Sequence, residues 1–230
     1  MTAPGKKLLV LFDNKGDQSI SHRTDVTVAD LSTSKYDIIG QCKGTDNPLF
    51  LDNLLKASPD IETVVVDSIT SFGELAMEYT VKNTSAKTPL TIEAPGMLGW
   101  GIQASIVFQF MNAMTRVASR HGKHIIFIAH EKDIDKEDNP LQSTVNLTGG
   151  LKQALPAKLS EVWYLADETK GKAIHIRGSQ SRKPMKTRMF QTDGLPKFPW
   201  KFDPESLKGD GIAEWHKMWC ASGKKIPLPV

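Results

Sequence analysis

Three short apolar runs dominate the pattern of hydrophobic and polar positions along this chain of 230 residues. They lie at Lys7–Asp13, Glu62–Asp67 and His124–His130, and each ends in polar residues. A continuous run of Val, Ile and Leu without alternation is typical of a parallel strand that is buried on both faces. The pattern therefore predicts three strands of one parallel sheet.

Apolar residues at helical spacing predict the helices that connect these strands. The strongest pattern runs from Trp100 to His121, and Gly122 is suited to end that helix. Between the first two strands, Tyr36–Ile39 reads as a further short strand. Weaker helical patterns lie at Asn47–Ala57, Ser71–Lys82, Leu151–Leu159 and Ile212–Cys220.

Two segments nearer the carboxyl end alternate between apolar and polar residues. Glu161–Ala166 and Ala173–Arg177 predict two antiparallel strands that a Lys-Gly-Lys turn connects. The order β-α-β-α-β followed by β-β predicts an α/β fold, with a mostly parallel sheet and helices on both faces. We assign residues 1–195 to this core and residues 196–230 to a short C-terminal extension with a small helix.

Composition narrows the class of protein. Hydrophobic residues make up 40% of the chain and charged residues 24%, which suits a soluble domain with a sizeable core. Cys42 and Cys220 are too few for a disulfide framework or a cysteine metal site, so a reduced compartment is the default. The chain shows no signal-peptide pattern and no apolar stretch near the roughly 20 residues of a membrane span, so we expect a cytoplasmic protein without a membrane partner.

Asp67 is the residue on which the functional argument depends. A carboxylate at the carboxyl end of a buried parallel strand lies where open α/β sheets bind ligands. In folds that hydrolyse nucleotides, such a carboxylate holds Mg²⁺, usually through water. The alternative is that Asp67 only caps the helix that begins near Thr70. The polar residues His130–Asp133 favour a site, because they follow the next strand at the same edge of the sheet.

Taken in order, these segments resemble the phage-encoded RecA-like ATPases, an AAA-type group that includes single-strand annealing proteins of phage recombination. The resemblance covers about residues 6 to 190 and rests on order and spacing, since no single motif is specific. It implies a RecA-like P-loop core that uses ATP and Mg²⁺ and assembles as a ring or filament. The segments that carry it are Val64–Thr70, the helix over 100–121, Ile125–Lys132, Leu147–Gly150 and the basic stretch Ser181–Arg188.

The resemblance also implies roles for single residues at the nucleotide. Asp67 matches the Walker B aspartate that holds Mg²⁺ through water, with Ser68 beside it. His130 matches the polar sensor of the γ-phosphate at the end of the next strand. Members of the group often carry an acidic residue after the preceding strand, where it can orient water, and Asp13 is the residue here that can do so.

Lys186 and Arg188 lie in a segment, 150–190, that is rich in basic residues. By the resemblance they match a K-x-R finger that one subunit inserts into the nucleotide site of its neighbour, where arginine stabilises charge on the transferred phosphoryl group. Two other interpretations stay open, namely a solvated basic loop and contacts to nucleic-acid phosphates. The resemblance adds single-stranded DNA and further copies of the chain as expected partners.

One motif of the group is absent, because G-x-x-x-x-G-K-[ST] occurs nowhere in the 230 residues. In the group, a strand, this phosphate-binding loop and a helix precede the segment that Leu8–Asp13 resembles. The recorded start is too far downstream, or the chain is a natural relict, or a partner supplies the loop. With the first β-loop-α unit missing, we expect exposed sheet edges and weak binding of ATP.

Two functions follow as hypotheses. The first is a phage-type RecA-like ATPase that acts in DNA recombination or single-strand annealing and that, without the phosphate-binding motif, binds ATP weakly. The second is a non-catalytic module in which the same core holds DNA or a partner protein without turnover. Nucleotide binding distinguishes the two.

Overall fold

The computed structural model describes residues 3–13, 20, 22–32, 35–42, 49–85, 90–133, 143–147, 150–169, 171–178, 185–193, 195, 197–203, 208–209 and 211–229. The chain forms two compact units. The parallel-sheet unit comprises Gly5–His130 and Asn146–Leu151, and the C-terminal unit comprises Met1–Pro4, Glu131–Val145 and Lys152–Val230. The expected division into a core over 1–195 and an extension over 196–230 stays a prediction.

Strands and helices alternate through the first half of the chain, and short strands dominate the second half. The strands are β1 (Lys6–Leu11), β2 (Val26–Asp30), β3 (Ile61–Asp67), β4 (His124–Phe127), β5 (Glu131–Asp133), β6 (Ser143–Val145), β7 (Tyr164–Glu168), β8 (Gly171–His175), β9 (Lys197–Pro199), β10 (Phe202–Asp203) and β11 (Lys208–Gly209). The helices are α1 (Lys35–Cys42), α2 (Leu49–Ala57), α3 (Ile69–Asn83), α4 (Gly96–Arg120), α5 (Leu151–Lys158) and α6 (Ile212–Ser222).

A four-stranded sheet in the order β2-β1-β3-β4 forms the base of the parallel-sheet unit, and all its neighbouring strands are parallel. The residues from Lys7 to Phe12 and from Thr63 to Val66 are all buried, so both faces of β1 and β3 are covered. The predicted parallel sheet is therefore confirmed. Within the described residues β2 and β4 are its edges, and all four side chains of the apolar strand β4 are partly exposed.

The helices of this unit pack against one another. Each of α1 to α4 contacts at least one of the others, as helices in one layer do. The rings of Phe72 in α3 and Phe110 in α4 stack with centroids 3.9 Å apart, and Phe12 meets both rings edge-on at 5.1 and 5.6 Å. Gln103 Nε2 donates a hydrogen bond to the carbonyl of Gly73 at 2.7 Å. The expected α/β fold, in which helices flank a mostly parallel sheet, is therefore confirmed.

Between β1 and α2 one local expectation is wrong and one strand was not expected. Tyr36–Ile39 belongs to helix α1, because a four-residue apolar run carries too little periodicity to separate helix from strand. Contacts with α3 and α4 decide the conformation by burying Ile38 and Ile39. Strand β2 was not expected, since its side chains are all partly or fully exposed and its sequence shows no apolar run.

A parallel backbone ladder and an ion pair join the edge strand β2 to β1. Asp25, which precedes β2, accepts a hydrogen bond from the buried Lys7 of β1 at 2.8 Å and two from the neighbouring Arg23 at 2.7 and 2.8 Å. The hydrogen bond from Arg23, together with Lys7, holds the pKa of Asp25 well below its usual range. The pair of Lys7 with Asp25 thus adds a charged contact at the start of an edge strand whose side chains are partly or fully exposed.

The C-terminal unit contains the antiparallel sheet β7-β8-β9, so the predicted antiparallel pair is confirmed. Two hairpins, β5-β6 and β10-β11, belong to the same unit. Its core is largely aromatic, and Trp215 of α6 contacts the rings of Trp163, Phe190 and Phe198. The buried members of this core are Ile174, Ile176, Met189, Phe190, Phe198, Trp215 and Ile226.

The remaining helix predictions agree with the structure to within a few residues, and α4 is the longest helix. Gly122 follows its last turn with φ +67°, a left-handed conformation that favours glycine. No helix in the described part of the chain combines the length and apolar character needed to cross a bilayer. Two expected segments lie partly outside the described residues, at 148–149 within Leu147–Gly150 and at 181–184 within Ser181–Arg188.

Replacing Phe110 by Ala tests the aromatic contact between α3 and α4. Phe110 is fully buried against Phe72, so Phe110→Ala should lower the free energy of unfolding by about 3–5 kcal/mol. Met97→Ala in the same helix is the matched control, because Met97 is 93% exposed and its loss should change stability by less than about 0.5 kcal/mol. Urea unfolding followed by circular dichroism measures both. Equal effects of the two changes would contradict the central place given to Phe110.

Candidate functional site

The carboxyl ends of β1, β3 and β4 meet at one edge of the parallel sheet. Leu11 pairs with Asp67 and Val66 pairs with Phe127, and the amide of Ile128 donates to the carbonyl of Val66 at 3.0 Å. The amide of Phe12 likewise donates to the carbonyl of Asp67 at 2.8 Å. This register brings together the polar residues that follow the three strands, namely Asp13, Asp67 and His130.

Asp67 provides an open carboxylate at the centre of this edge. Its side chain is partly buried and accepts no hydrogen bond from any residue in the described part of the chain. Burial raises the pKa of Asp67, the nearby Asp13 raises it further, and His130 opposes the shift. A partly desolvated carboxylate beside a second carboxylate is in an unfavourable environment that a bound cation would relieve.

The first turn of α3 starts directly after Asp67 and is rich in hydroxyl groups. Ser68 is the N-cap of α3, and its Oγ accepts a hydrogen bond from the amide of Ser71 at 3.1 Å. The peptide bond between Asp67 and Ser68 is cis. The Ser71 hydroxyl lies 2.9 Å from Ser68 Oγ and donates a hydrogen bond to Oδ1 of Asp13. Ser68, and not Asp67, is therefore the N-cap of α3, so the alternative in which Asp67 only caps this helix is wrong.

His130 is fixed through its backbone, and its side chain is left exposed. Its amide donates to Oγ1 of Thr70 at 3.0 Å, and its carbonyl accepts from the amide of Asn146 at 2.8 Å. Since Thr70 belongs to the first turn of α3, the same turn that borders Asp67 also holds the segment after β4. His130 is near enough to Asp67 to oppose the rise in the pKa of that carboxyl, and its side chain is exposed.

The donor atoms at this edge fit Mg²⁺ better than a soft metal. The carboxylates of Asp13 and Asp67 offer hard oxygen ligands, and the hydroxyls of Ser68 and Ser71 lie beside them. Mg²⁺ is commonly bound through one or two carboxylates while it keeps several waters. The open carboxylate of Asp67, raised in pKa by its acidic neighbour, is the feature that a divalent cation would satisfy.

Lys186 and Arg188 lie in the C-terminal unit, where the carboxylate of Glu161 holds the backbone around them. Glu161 Oε1 accepts from the amides of Arg188 at 2.7 Å and Met189 at 2.9 Å. The ammonium of Lys186 donates to the carbonyl of Ala157 at 3.0 Å, whereas the side chain of Arg188 is exposed. The role of these two residues at a neighbour's nucleotide stays a prediction.

Sequence reasoning identified the carboxylates and the histidine but missed Thr70 and Ser71. The hydroxyl-rich run Ser68–Ser71, which begins α3, contained the signal. Hydroxyls in a first helical turn bind local backbone in most proteins, so only the tertiary contacts to Asp13 and His130 distinguish these two residues.

Comparison with known proteins adds a family. A family model described as an AAA domain matches residues 1–198. The matched range contains every residue of the cluster at the sheet edge and also Lys186 and Arg188. No curated protein matches the chain.

Asp67→Asn should stabilise the metal-free protein at neutral pH. The pKa of Asp67 is higher in the folded than in the unfolded chain, so the folded state keeps the proton longer. The contribution of Asp67 to the free energy of unfolding should therefore fall as pH rises from about 4 through the raised pKa. Asn cannot ionise, so the variant should be more stable than the wild type at pH 7, with the difference vanishing below pH ~4.

Thermal unfolding in EDTA between pH 4 and 8 measures this difference. Asp60→Asn is the matched control, because Lys6 lowers the pKa of Asp60 and its neutralisation should not stabilise the protein. A stability difference between Asp67→Asn and wild type that does not depend on pH would contradict the raised pKa.

Proposed function

This chain belongs to the AAA domain family, a family of AAA-type P-loop ATPases, and from that premise we propose that it is a RecA-like ATPase of phage type. The proposed role is in DNA recombination or single-strand annealing, as a ring or filament on single-stranded DNA. The role in phage recombination is supported by the order of the segments Val64–Thr70, Ile125–Lys132 and Ser181–Arg188. The proposed hydrolysis of ATP is supported by the polar residues at the carboxyl edge of the parallel sheet.

The observation that carries the proposal is the open carboxylate of Asp67 with Asp13 and His130 beside it. Asp67 would hold Mg²⁺ through water, and Asp13 and Ser68 would complete the polar surroundings of the ion. A bound Mg²⁺ would neutralise charge on the phosphates of ATP. In this proposal Asp13 would orient a water, and His130, whose imidazole is exposed, would contact a terminal phosphate from the end of the neighbouring strand.

The phosphates need more than this edge supplies. In P-loop proteins, the amides of the glycine-rich loop and its lysine provide most of the affinity for phosphate. No segment of the 230 residues matches that loop. We therefore propose that full activity requires a phosphate-binding loop in addition to the residues of this chain. The partly exposed apolar strand β4 is the edge at which a further strand would find open backbone groups.

Isothermal titration calorimetry with Mg²⁺-ATP tests the nucleotide part of the proposal. We expect the 230-residue protein to bind ATP weakly or not at all, because Asp67 contributes to the affinity only through the metal. Any weak heat of binding should disappear in EDTA and in Asp67→Asn. Tight binding of ATP that requires Mg²⁺ would contradict the expectation of weak binding. Weak binding that is unchanged by EDTA and by Asp67→Asn would contradict the role of Asp67.

The second candidate function is a non-catalytic module that holds DNA. It is favoured by the basic bias of the segment 150–190 and by the exposure of Arg177 and Arg188. Other cations of this segment are already engaged within the unit, such as Lys172 with Asp167 at 3.3 Å and Lys186 with a backbone carbonyl. The exposed guanidinium groups are suited to phosphate contacts, and that of Arg177 also donates a hydrogen bond to Thr192 Oγ1 at 3.5 Å.

Fluorescence anisotropy with labelled oligo-dT at several salt concentrations tests the contact with DNA. Replacing Arg177 and Arg188 together by Gln should reduce the magnitude of the negative slope of log affinity against log salt by about 1.4, which corresponds to two lost phosphate contacts. The matched control replaces Lys224 and Lys225, two exposed cations near the carboxyl end, and should leave the slope unchanged. Equal slopes in the wild type, the arginine variant and the lysine variant would show that both arginines are solvated surface charges without a role in DNA binding.

A further inference from the structure

Ser71 has a position in the site that the proposed roles do not use. It lies in the first turn of α3, three residues after the N-cap Ser68, and its hydroxyl contacts both Ser68 and Asp13. Within the described residues it provides the one hydrogen bond that the Asp13 carboxylate accepts. The contact joins residues that are 58 positions apart in the chain.

The direction of these hydrogen bonds follows from proton counting. A hydroxyl has one proton to donate, and an ionised carboxylate can only accept. The proton of Ser71 therefore goes to Asp13 Oδ1, so Ser68 Oγ–H must donate to Ser71 Oγ at 2.9 Å. Ser68 Oγ in turn accepts from the Ser71 amide at 3.1 Å. The orientation of the Asp13 carboxylate is thus tied to the helix cap through Ser71.

The Asp13 carboxylate needs such a contact because a like charge lies nearby. Asp13 and Asp67 repel each other when both are ionised, and repulsion alone would turn Asp13 away from the sheet edge. A charge-assisted hydrogen bond from Ser71 offsets that repulsion and keeps the two carboxylates on the same side. The arrangement resembles the outer partners of metal ligands, which orient a ligand before the ion binds.

We propose that Ser71 is a positioning residue that holds the Asp13 carboxylate toward Asp67, so that the two together receive a divalent cation. The inference rests on the proposed function, since it assigns Ser71 a part in the same metal site. Ser71 acts through Asp13 and makes no contact with the reacting groups itself.

Ser71→Ala isolates this role from the stability of the helix. The N-cap bond uses the amide of Ser71, which Ala retains, and the hydroxyl of Ser68, which is unchanged. Ser71→Thr keeps the hydroxyl, so this conservative variant should retain the hydrogen bond to Asp13 and the affinity for the cation. Ser71→Cys, a weak donor of similar size, serves as a second test if the Ala variant does not fold.

Electron paramagnetic resonance of Mn²⁺ added to the 230-residue protein, without nucleotide, measures the affinity of the site directly. We expect Ser71→Ala and Ser71→Cys to weaken Mn²⁺ binding roughly tenfold, and Ser71→Thr to bind within about twofold of wild type. Asp13→Asn should lose at least as much affinity as Ser71→Ala. The double variant should lose no more than Asp13→Asn alone, because Ser71 acts only through Asp13.

The outcomes separate this inference from the proposed function. If the wild type binds Mn²⁺ and Ser71→Ala binds it equally well, the positioning role is wrong and the metal site stands. Additive losses in the double variant, or equal losses in Ser71→Thr and Ser71→Ala, would also overturn the role of Ser71, because they indicate a general packing effect. A wild type that does not bind Mn²⁺ would contradict both the metal role of the sheet edge and the role of Ser71.

Discussion

The parallel alignment of β1, β3 and β4 is the constraint on which the rest of the site depends. Parallel strands bring their carboxyl ends to one edge, so residues that follow three separate apolar runs meet there. The backbone pairing continues past β4 through Ile128, which carries the alignment toward His130. Asp13, Asp67 and His130 are neighbours because of this register, although more than 100 residues lie between Asp13 and His130.

The same edge contains an electrostatic arrangement that lowers the stability of the folded protein. Asp67 is partly buried beside a like charge, and its raised pKa reports that unfavourable environment. The surrounding structure resists this repulsion with a fully buried Ser68, the Ser71 hydroxyl and an aromatic cluster in which Phe72 of the same helix α3 stacks on Phe110. A capped first helical turn beside two carboxylates that repel each other is the arrangement expected at a site where a bound cation supplies the compensating charge.

Prediction from sequence succeeded where one physical signal dominated and failed where contacts decided. The buried strands were recognised because a continuous apolar run is visible in the sequence itself. The long helix α4 was recognised because its apolar periodicity extends over many turns. Strand β2 was missed because its side chains are partly or fully exposed, and it is attached to the sheet by backbone pairing and by the contact of Asp25 with Lys7, neither of which leaves an apolar run. Tyr36–Ile39 was assigned to a strand because so short a run fits either structure, and contacts with α3 and α4 select the helix.

The sequence by itself determined the parallel strands, the acidic and imidazole groups that end them and the absence of a glycine-rich phosphate loop from these 230 residues. These features depend on local composition, which a single sequence contains. Only the tertiary structure decided that Ser71 bonds Asp13, that Thr70 holds the amide of His130, and that Glu161 holds the backbone at Arg188. Each of these is a hydrogen bond between residues far apart in the chain, and its formation depends on a register that no local pattern encodes.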